Sequence, residues 1–315
     1  MAKVAVVGAG LIGRAWAISF ARAGHDVSVA DSEPAALDKA LAFVDSVLPD
    51  LACYDLLEGQ SPSEVRRRIA TTGDLGKALA GAAHVQENAP EKIEVKRSLF
   101  PELDRLAPPE AVLASSTSAL LPSTFTEGLA GRARCLVAHP INPPYLVPSV
   151  EIVPAPWTDP AVVARTAEFM KAAGQAPIVM KREIDGFVVN RMQGALLQEA
   201  FRLVADGYAT VEDVDVALRE GLALRWSFMG PFETIDLNAP EGVRDYVRRY
   251  SGLYERLFSS QRQAADWKGP VLAEIERDRR KRSKQTDLAK RQGWRDRRLM
   301  ALLQHKRRAA KDIGE

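Results

Sequence analysis

The chain has few of the residues that mark disulfide-rich, zinc-binding or membrane proteins. Its 315 residues include two cysteines, Cys53 and Cys135, which are far apart and show no pair spacing, so neither a disulfide framework nor a zinc site is predicted. No apolar stretch approaches the ~20 residues that a membrane-spanning helix needs. The net charge of +2 is too small to indicate a polyanionic partner for the whole chain. A strand-like run follows Met1 almost at once, so we expect no signal peptide and a cytoplasmic location.

A glycine-rich turn follows the first apolar run, Lys3–Val7. A short continuous apolar run is typical of a parallel strand that is buried on both faces, and helical spacing of apolar residues follows the turn. In a Gly-x-Gly-x-x-Gly turn the first glycine permits the bend, the second admits a pyrophosphate, and the third lets the helix pack on the strand. The helix N-terminus adds free N–H groups and positive potential. The predicted phosphate-side residues are Gly8, Gly10, Leu11, Ile12 and Gly13.

Asp31 ends the second apolar run and predicts the choice of dinucleotide. A carboxylate at this place accepts both hydroxyls of an adenine ribose and repels a 2′-phosphate, and the next residue is Ser32 rather than an arginine. NAD is therefore predicted as the cofactor in preference to NADP. A glycine-rich turn without a ligand is the alternative, but the flanking strand, helix and aspartate favour dinucleotide binding.

The distribution of runs predicts two domains. Alternating strand-like and helical segments indicate an α/β fold over residues 1–184, a Rossmann-like doubly wound sheet that binds NAD. Residues 185–315 have helical spacing and little strand signal, which predicts an all-α C-terminal domain for substrate binding and dimerisation. Basic residues dominate residues 277–311, where a nucleic-acid patch is one interpretation. A solvated helical tail with Leu299, Leu302 and Leu303 docking on one face is favoured, because aromatic residues suited to base stacking are not interleaved.

His139 and Glu151 are predicted to meet beside the cofactor. Ligands of doubly wound sheets bind beyond the carboxyl ends of the strands, and His139 ends the run that begins at Cys135. The Asn142–Pro144 turn reverses the chain, so the returning run can bring Glu151 alongside the imidazole. A carboxylate on one imidazole nitrogen fixes the tautomer and leaves the other nitrogen to move protons. A structural histidine with an edge-strand glutamate is the alternative.

Six segments together resemble the 3-hydroxyacyl-CoA dehydrogenase family, in particular its lambda-crystallin (L-gulonate 3-dehydrogenase) branch. They are GAGLIGRAWA, HVQENAPE, SSTSAL, AHPINPPY with the later VEIVP, EIDGFVVNRMQ, and LRWSFMGPFETIDLN, and the resemblance covers nearly the whole chain. It implies an NAD-dependent enzyme that acts on a small molecule. No nucleic acid, membrane or metal is predicted to take part, and the appended helical domain predicts a homodimer.

The resemblance also implies roles for individual residues. His139 is the base, Glu151 its partner, and Ser118 and Asn190 hydrogen-bond the reacting oxygen. Further residues are placed in the pocket around these four. They are Ser116, Glu91 and Lys96 on the cofactor side and Asn142 on the substrate side.

The substrate is open between a free 3-hydroxy acid and a coenzyme A thioester. In the acyl-CoA enzymes basic residues lie after the second strand, whereas residues 48–58 here contain no lysine or arginine, which favours a free acid such as L-gulonate. Arg225 has three interpretations: a surface residue, a residue paired with an acid such as Asp215 or Glu220, or a group that binds the substrate carboxylate through two parallel hydrogen bonds. The resemblance favours the last, because the lambda-crystallin branch resembles this sequence at the arginine and the acyl-CoA members compared lack it. A non-catalytic NAD-binding protein is the third hypothesis, and the intact set of site residues disfavours it.

Overall fold

The structure is a computed structural model that describes residues 1–314. The strands are β1 (Lys3–Val7), β2 (Asp26–Ala30), β3 (Ile69–Thr72), β4 (His84–Glu87), β5 (Val112–Ser115), β6 (Cys135–Pro140), β7 (Ser149–Pro154) and β8 (Ala176–Val179). The helices of the first half are α1 (Leu11–Arg22), α2 (Pro34–Cys53), α3 (Pro62–Arg67), α4 (Leu75–Leu79), α5 (Ile93–Leu106), α6 (Ser123–Thr126) and α7 (Pro160–Ala172). Those of the second half are α8 (Val189–Ala205), α9 (Val211–Val216), α10 (Ala223–Trp226), α11 (Pro231–Leu237), α12 (Val243–Gln261), α13 (Pro270–Arg282) and α14 (Leu288–Ile313).

The strands form one sheet in the order β3-β2-β1-β4-β5-β6-β7-β8. Strands β1 to β6 are parallel, β7 is antiparallel to β6, and β8 is parallel to β7. The apolar run of β1 is buried on both faces, since Val4 and Val6 belong to one hydrophobic cluster and Ala5 and Val7 to the other. The predicted Rossmann-like sheet and the all-α C-terminal region are thus confirmed.

Local capping signals in the sequence correspond to helix starts in the structure. The Asp159 side chain accepts a hydrogen bond from the Ala161 amide, with Pro160 at the first helical position of α7. Thr210 and Asp213 form a reciprocal capping box at the start of α9. The α-helical part of α9 ends at Val216, because a π-helical turn, Ala217–Leu222, follows.

The chain divides into two compact units. The first comprises Met1–Val189 together with Asp296–Gln304, and the second comprises Asn190–Arg295 and the residues after Gln304. The middle of α14 therefore belongs to the sheet-containing unit. Among residues 1–314, no helix is both long and apolar enough to cross a membrane.

His84 is a buried histidine of β4 whose protonation should make the fold sensitive to acid. Its ring stacks on Phe169 at 4.6 Å between centroids, its Nε2 atom bonds Gln86 Oε1 at 2.9 Å, and its Nδ1 atom has no partner. Burial lowers the pKa of His84 to about 4. The unfolded chain, with an ordinary histidine pKa of about 6.5, therefore binds the proton first as the pH falls.

We expect His84→Gln to reduce the loss of stability in mild acid. In the wild type the His84 contribution is fully present above about pH 6.5 and falls by about 2 kcal/mol between pH 7.5 and pH 5. Glutamine does not titrate between pH 7.5 and pH 5. The free energy of unfolding of the variant should therefore fall by about 2 kcal/mol less than that of the wild type over this range, whatever the stability of the variant at pH 7.5. Urea unfolding at both pH values measures the difference, and equal losses in the two proteins would contradict the assignment.

Candidate active site

The glycine-rich turn between β1 and α1 has the shape that a dinucleotide needs. Gly8 has a φ of +98°, and a Cβ atom there would lie 2.8 Å from the Asn88 carbonyl oxygen. A Cβ on Gly13 would lie 1.8 Å from the Gly8 carbonyl oxygen, so the helix can pack against the turn only with glycine at that position. A Cβ on Gly10 would point into open space. The backbone at Gly10 is thus accessible to a pyrophosphate, with Leu11 and Ile12 at the helix N-terminus beside it.

Asp31 is held at the end of β2 by two backbone amides. The Ala9 amide donates to Oδ2 at 2.8 Å and the Glu33 amide donates to Oδ1 at 3.0 Å. These bonds tie the carboxylate to the glycine-rich turn, which fixes its position for the adenine ribose. The residues present therefore fit NAD.

Asp31→Ser is expected to weaken NAD binding by about tenfold, on the order of one charged hydrogen bond, and to raise the relative use of NADP. The serine removes both the ribose acceptor and the charge that repels a 2′-phosphate. Glu33→Ser removes a neighbouring exposed carboxylate and serves as the control. Dissociation constants for the two reduced dinucleotides, measured by fluorescence, test this. A wild-type protein that prefers NADP would overturn the assignment.

Ser116 lies just beyond β5, and its hydroxyl oxygen already accepts two hydrogen bonds. Trp16 Nε1 donates to it at 3.0 Å and Gln86 Nε2 at 2.7 Å, while the same amide group of Gln86 also donates to the Ala138 carbonyl at 3.1 Å. With both lone pairs used, Ser116 keeps its hydroxyl proton for donation to another group. Gln86 thus joins the ends of β4, β5 and β6, a function that residue type and spacing in the HVQENAPE segment do not predict.

Glu91 holds the loop that carries Ser118. Its Oε1 atom accepts hydrogen bonds from the Ser118 amide at 2.9 Å, the Ala119 amide at 3.0 Å and the Thr117 hydroxyl at 2.5 Å. The Ser118 hydroxyl lies 3.4 Å from the same oxygen, and its residue is exposed. Both predicted site residues thus lie at the cofactor edge of the sheet, and they contact each other.

Lys96 is buried in the core beneath this edge. Its ammonium donates to Glu87 Oε1 at 2.7 Å, to Glu87 Oε2 at 2.9 Å and to the Ala89 carbonyl at 2.9 Å. These three bonds use all of its N–H groups, so no donor is left for a cofactor in this arrangement. Ser115 also donates to Glu87 Oε2, at 2.6 Å. The geometry favours a supporting role for Lys96, in which it ties α5 to the end of β4 and, through Glu87, to Ser115 at the end of β5.

His139 and Glu151 form a buried pair. They lie opposite each other in the antiparallel ladder of β6 and β7, and His139 Nδ1 lies 2.7 Å from Glu151 Oε2. Glu151 is fully buried, and the amides of Val188 and Val189 donate to its other oxygen at 2.6 and 2.9 Å. Burial by itself would raise the pKa of Glu151, but the hydrogen bonds from His139 and the two amides outweigh it and leave that pKa below its usual range. The carboxylate is therefore ionised at neutral pH.

Phe187 packs beside the His139–Glu151 pair, just before α8 begins. No pattern in the sequence predicts this role. Its ring is fully buried with its centroid 5.6 Å from that of His139. Its φ of +50° is in the left-handed region, which non-glycine residues seldom adopt. This conformation precedes the two amides of Val188 and Val189 that bind Glu151. Only the Asp185–Gly186 turn signal before it hinted at an irregular backbone.

The remaining predicted residues are distributed over both units. Asn142 is exposed on the turn after β6, in the first unit. Asn190 is in the first turn of α8 and Arg225 is in α10, both in the second unit. Neither predicted partner of Arg225 is available to it, because Asp215 pairs with Arg279 at 2.9 Å and Glu220 pairs with Arg219 at 2.5 Å. Among residues 1–314, no group of three or more His, Cys, Asp or Glu side chains could hold a metal ion.

The chain matches two family descriptions over most of its length. Residues 3–184 match the NAD-binding domain of 3-hydroxyacyl-CoA dehydrogenase, and residues 186–281 match the C-terminal domain of that family. The lambda-crystallin homolog of Bos taurus is 43% identical over 306 residues, which are 96% of this chain and 95% of that protein. The L-carnitine dehydrogenase of Streptomyces coelicolor is 38% identical over 295 residues, 88% of this chain and 92% of that protein.

A solved structure has the same fold over the whole length of the chain. The 5-formyl-3-hydroxy-2-methylpyridine 4-carboxylic acid 5-dehydrogenase, described as an NAD+-dependent dismutase, superposes with a TM-score of 0.83 at 25% identity and covers 100% of both chains. Three observations agree. Both domains match one family, the glycine-rich turn fits a dinucleotide, and the relatives include dehydrogenases. The chain belongs to the 3-hydroxyacyl-CoA dehydrogenase family and is an NAD-dependent oxidoreductase of the hydroxy-acid type.

Proposed function

We propose that this enzyme oxidises the C3 hydroxyl of a small free 3-hydroxy acid, with His139 as the base. The observation that carries the proposal is the buried His139–Glu151 pair at the sheet edge where the glycine-rich turn lies. The Nδ1 atom of His139 faces an ionised carboxylate, so the proton of the neutral imidazole is held on that nitrogen. The Nε2 atom is left with a lone pair and can take the hydroxyl proton of the substrate.

Glu151 stabilises the imidazolium that this proton transfer creates. Its carboxylate cannot rotate away, because the Val188 and Val189 amides fix its second oxygen. Ser118 and Asn190 are proposed to hydrogen-bond the reacting oxygen as negative charge develops on it. Asn142 and Ser116 are proposed to line the same pocket, on the substrate and cofactor sides. NAD, held at the glycine-rich turn and Asp31, would supply the acceptor for the C3 hydride, and His139 is proposed to take the hydroxyl proton.

Arg225 is proposed to bind the substrate carboxylate, in its own subunit or across a dimer. The described residues provide no ion pair for its guanidinium, since the two acids predicted as alternatives are bound to other arginines. A planar guanidinium binds a carboxylate through two parallel hydrogen bonds, which would orient the hydroxyl-bearing carbon. A thioester carbonyl is neutral and offers no such pairing. Two features support a free acid in preference to a coenzyme A thioester. Arg225 has no ion-pair partner among the described residues, and residues 48–58 contain no lysine or arginine.

A spectrophotometric panel tests the proposed activity. Free 3-hydroxy acids, including L-gulonate and L-carnitine, and the available 3-hydroxyacyl-CoA thioesters would each be supplied with NAD, and NADH absorbance followed. L-Gulonate is the first candidate because of the resemblance to the lambda-crystallin branch, and L-carnitine enters because an L-carnitine dehydrogenase is among the relatives. The proposal requires at least one free acid to be oxidised in an NAD-dependent way. It would be abandoned if only thioesters reacted, in favour of the 3-hydroxyacyl-CoA activity, or if no substrate reacted, in favour of a non-catalytic NAD-binding protein.

The helical unit is proposed to mediate a homodimer through α12. One stripe of this helix is apolar and about half exposed, at a spacing of three and four residues: Val243, Val247, Tyr250, Tyr254, Leu257 and Phe258. Such a stripe on a single chain indicates a surface that another helix covers, and a second copy of α12 presents the same stripe. The hydrogen bond to Tyr254 mainly raises the pKa of Tyr246 on α12, and the charge of Arg225 acts against this rise.

We expect sedimentation equilibrium to give twice the chain mass of 34.5 kDa for the wild type. Val247→Lys should shift the protein towards the monomer, because a charge in a helix–helix core is costly to bury. Val179→Lys, on exposed edge strand β8, is the control and should leave the mass unchanged. A wild-type monomer at micromolar concentration would refute the dimer.

A further inference from the structure

The middle of the last helix packs on the unit that holds His139. Residues 296–304, which we call the strap, belong to the sheet-containing unit although α14 begins and ends in the helical one. Met300 is 2% exposed within the larger hydrophobic cluster, and Leu299 and Leu303 pack against that cluster. Leu302, predicted to dock with them, is 43% exposed instead, because it lies on the opposite side of the helix from Met300.

The strap contacts the turn that follows His139. Tyr145, at the end of the Asn142–Tyr145 turn, is 2% exposed and belongs to the same cluster as Met300. Its hydroxyl donates to Asp296 Oδ2 at 3.4 Å. Arg297 Nε pairs with Asp50 Oδ2 on α2 at 3.1 Å, which adds a second polar contact to the strap.

Other parts of the unit hold the backbone of this turn and one face of the Tyr145 ring. Gln175 Nε2 donates to the Pro144 carbonyl at 3.2 Å, and the buried Arg22 donates to the Tyr145 carbonyl at 3.1 Å. The Tyr145 ring packs edge-on against Phe43 of α2 at 6.2 Å between centroids. The strap adds to these contacts. Asp296 accepts the hydrogen bond of the Tyr145 phenol, and Met300 belongs to the same hydrophobic cluster as Tyr145.

We propose that Asp296 and Met300 are positioning residues of the enzyme, which act through Tyr145 to hold the Asn142–Tyr145 turn in register with His139. The family's C-terminal domain match ends at residue 281, so the strap lies beyond it. The inference rests on the proposed function to the extent that Asn142 is taken to face the substrate. Its structural part, that the strap orders the turn, stands independently of which substrate the enzyme uses.

Hydrogen exchange measured by mass spectrometry on the full-length protein tests the structural part. We expect amides of residues 141–148 to exchange about tenfold faster in Met300→Ala, whereas β1 peptides stay protected, since local opening frees the turn without unfolding the sheet. Tyr145→Phe removes one hydroxyl only and should give a smaller increase in the same segment. Asp312→Ala and Leu302→Ala, which truncate exposed residues of the same helix, are the controls.

Kinetics test the functional part in Met300→Ala and in Asp296→Ala, which removes the acceptor of the Tyr145 hydroxyl. Asp296→Ala and Met300→Ala should raise KM for the hydroxy acid severalfold, leave KM for NAD within about twofold, and leave the pH profile of kcat in place, because the His139–Glu151 pair is untouched. Unchanged exchange of residues 141–148 in all strap variants would overturn the proposal, as would a uniform increase that included β1. If no hydroxy acid is oxidised, the proposed function fails, while the exchange result still decides whether the strap orders the turn.

Discussion

His139→Ala is expected to lower kcat for any accepted hydroxy acid by about 10² to 10⁴, the usual contribution of a positioned general base. The variant loses the nitrogen that takes the hydroxyl proton and leaves Glu151 buried without its imidazole partner. NAD binding should stay near the wild-type value, because the glycine-rich turn and Asp31 do not contact His139. Stopped-flow measurement of NADH formation, together with fluorescence titration of NADH, separates the two effects.

His305→Ala is the matched control, since it removes an exposed histidine of α14. Its kcat should equal that of the wild type. If His139→Ala oxidises the substrate at a rate close to that of His305→Ala, then the buried pair is structural and the base lies elsewhere. Loss of NADH binding in His139→Ala would instead show that the substitution had disturbed the nucleotide-binding unit itself.

Arg225→Met is expected to raise KM for the free acid by roughly 10- to 100-fold, on the order of the 1.5–3 kcal/mol of a hydrogen bond to a charged group. Methionine keeps much of the apolar stem and removes the guanidinium, so packing in α10 should change little. NAD affinity should be unchanged. The variant should also discriminate less against an uncharged ester of the same acid, because the carboxylate no longer contributes to binding.

Arg219→Met is the control for this prediction. Arg219 is half exposed on the preceding turn and already pairs with Glu220, so its loss should leave KM for the acid nearly unchanged. An Arg225→Met enzyme with wild-type KM for the acid, and with the ester still rejected, would mean that another group binds the carboxylate.

Most of the sheet could be predicted because its strands are apolar runs that end in polar residues. β3 does not follow this pattern, since Ile69–Thr72 contains one large apolar residue and two threonines, and an edge strand needs little core contact. The opposition of His139 and Glu151 was predictable from the two runs and the intervening prolines, because an antiparallel return fixes the register. Their roles remain proposals.

The supporting contacts of the site were much less accessible from the sequence. The buried Lys96–Glu87 pair and the Gln86 bridge depend on which loops meet in three dimensions, and residue type alone does not reveal this. The resemblance placed Lys96 on the cofactor side, whereas the structure uses its three N–H groups within the protein. Similarly, the docking of Met300 depends on the path of a long helix, and its flanking charges gave the segment the appearance of a solvated tail.

The ratio of kcat/KM for a free acid and its own thioester decides which of the two substrate classes this enzyme recognises. L-3-Hydroxybutyrate and L-3-hydroxybutyryl-CoA share the reacting carbon and differ in the group that Arg225 is proposed to recognise. We expect the wild type, supplied with NAD, to favour the free acid by about tenfold or more, in line with one charged hydrogen-bonded pair. Arg225→Met should reduce that ratio while His139→Ala lowers both rates. A wild-type enzyme that favours the thioester would contradict the account and identify coenzyme A as part of the substrate.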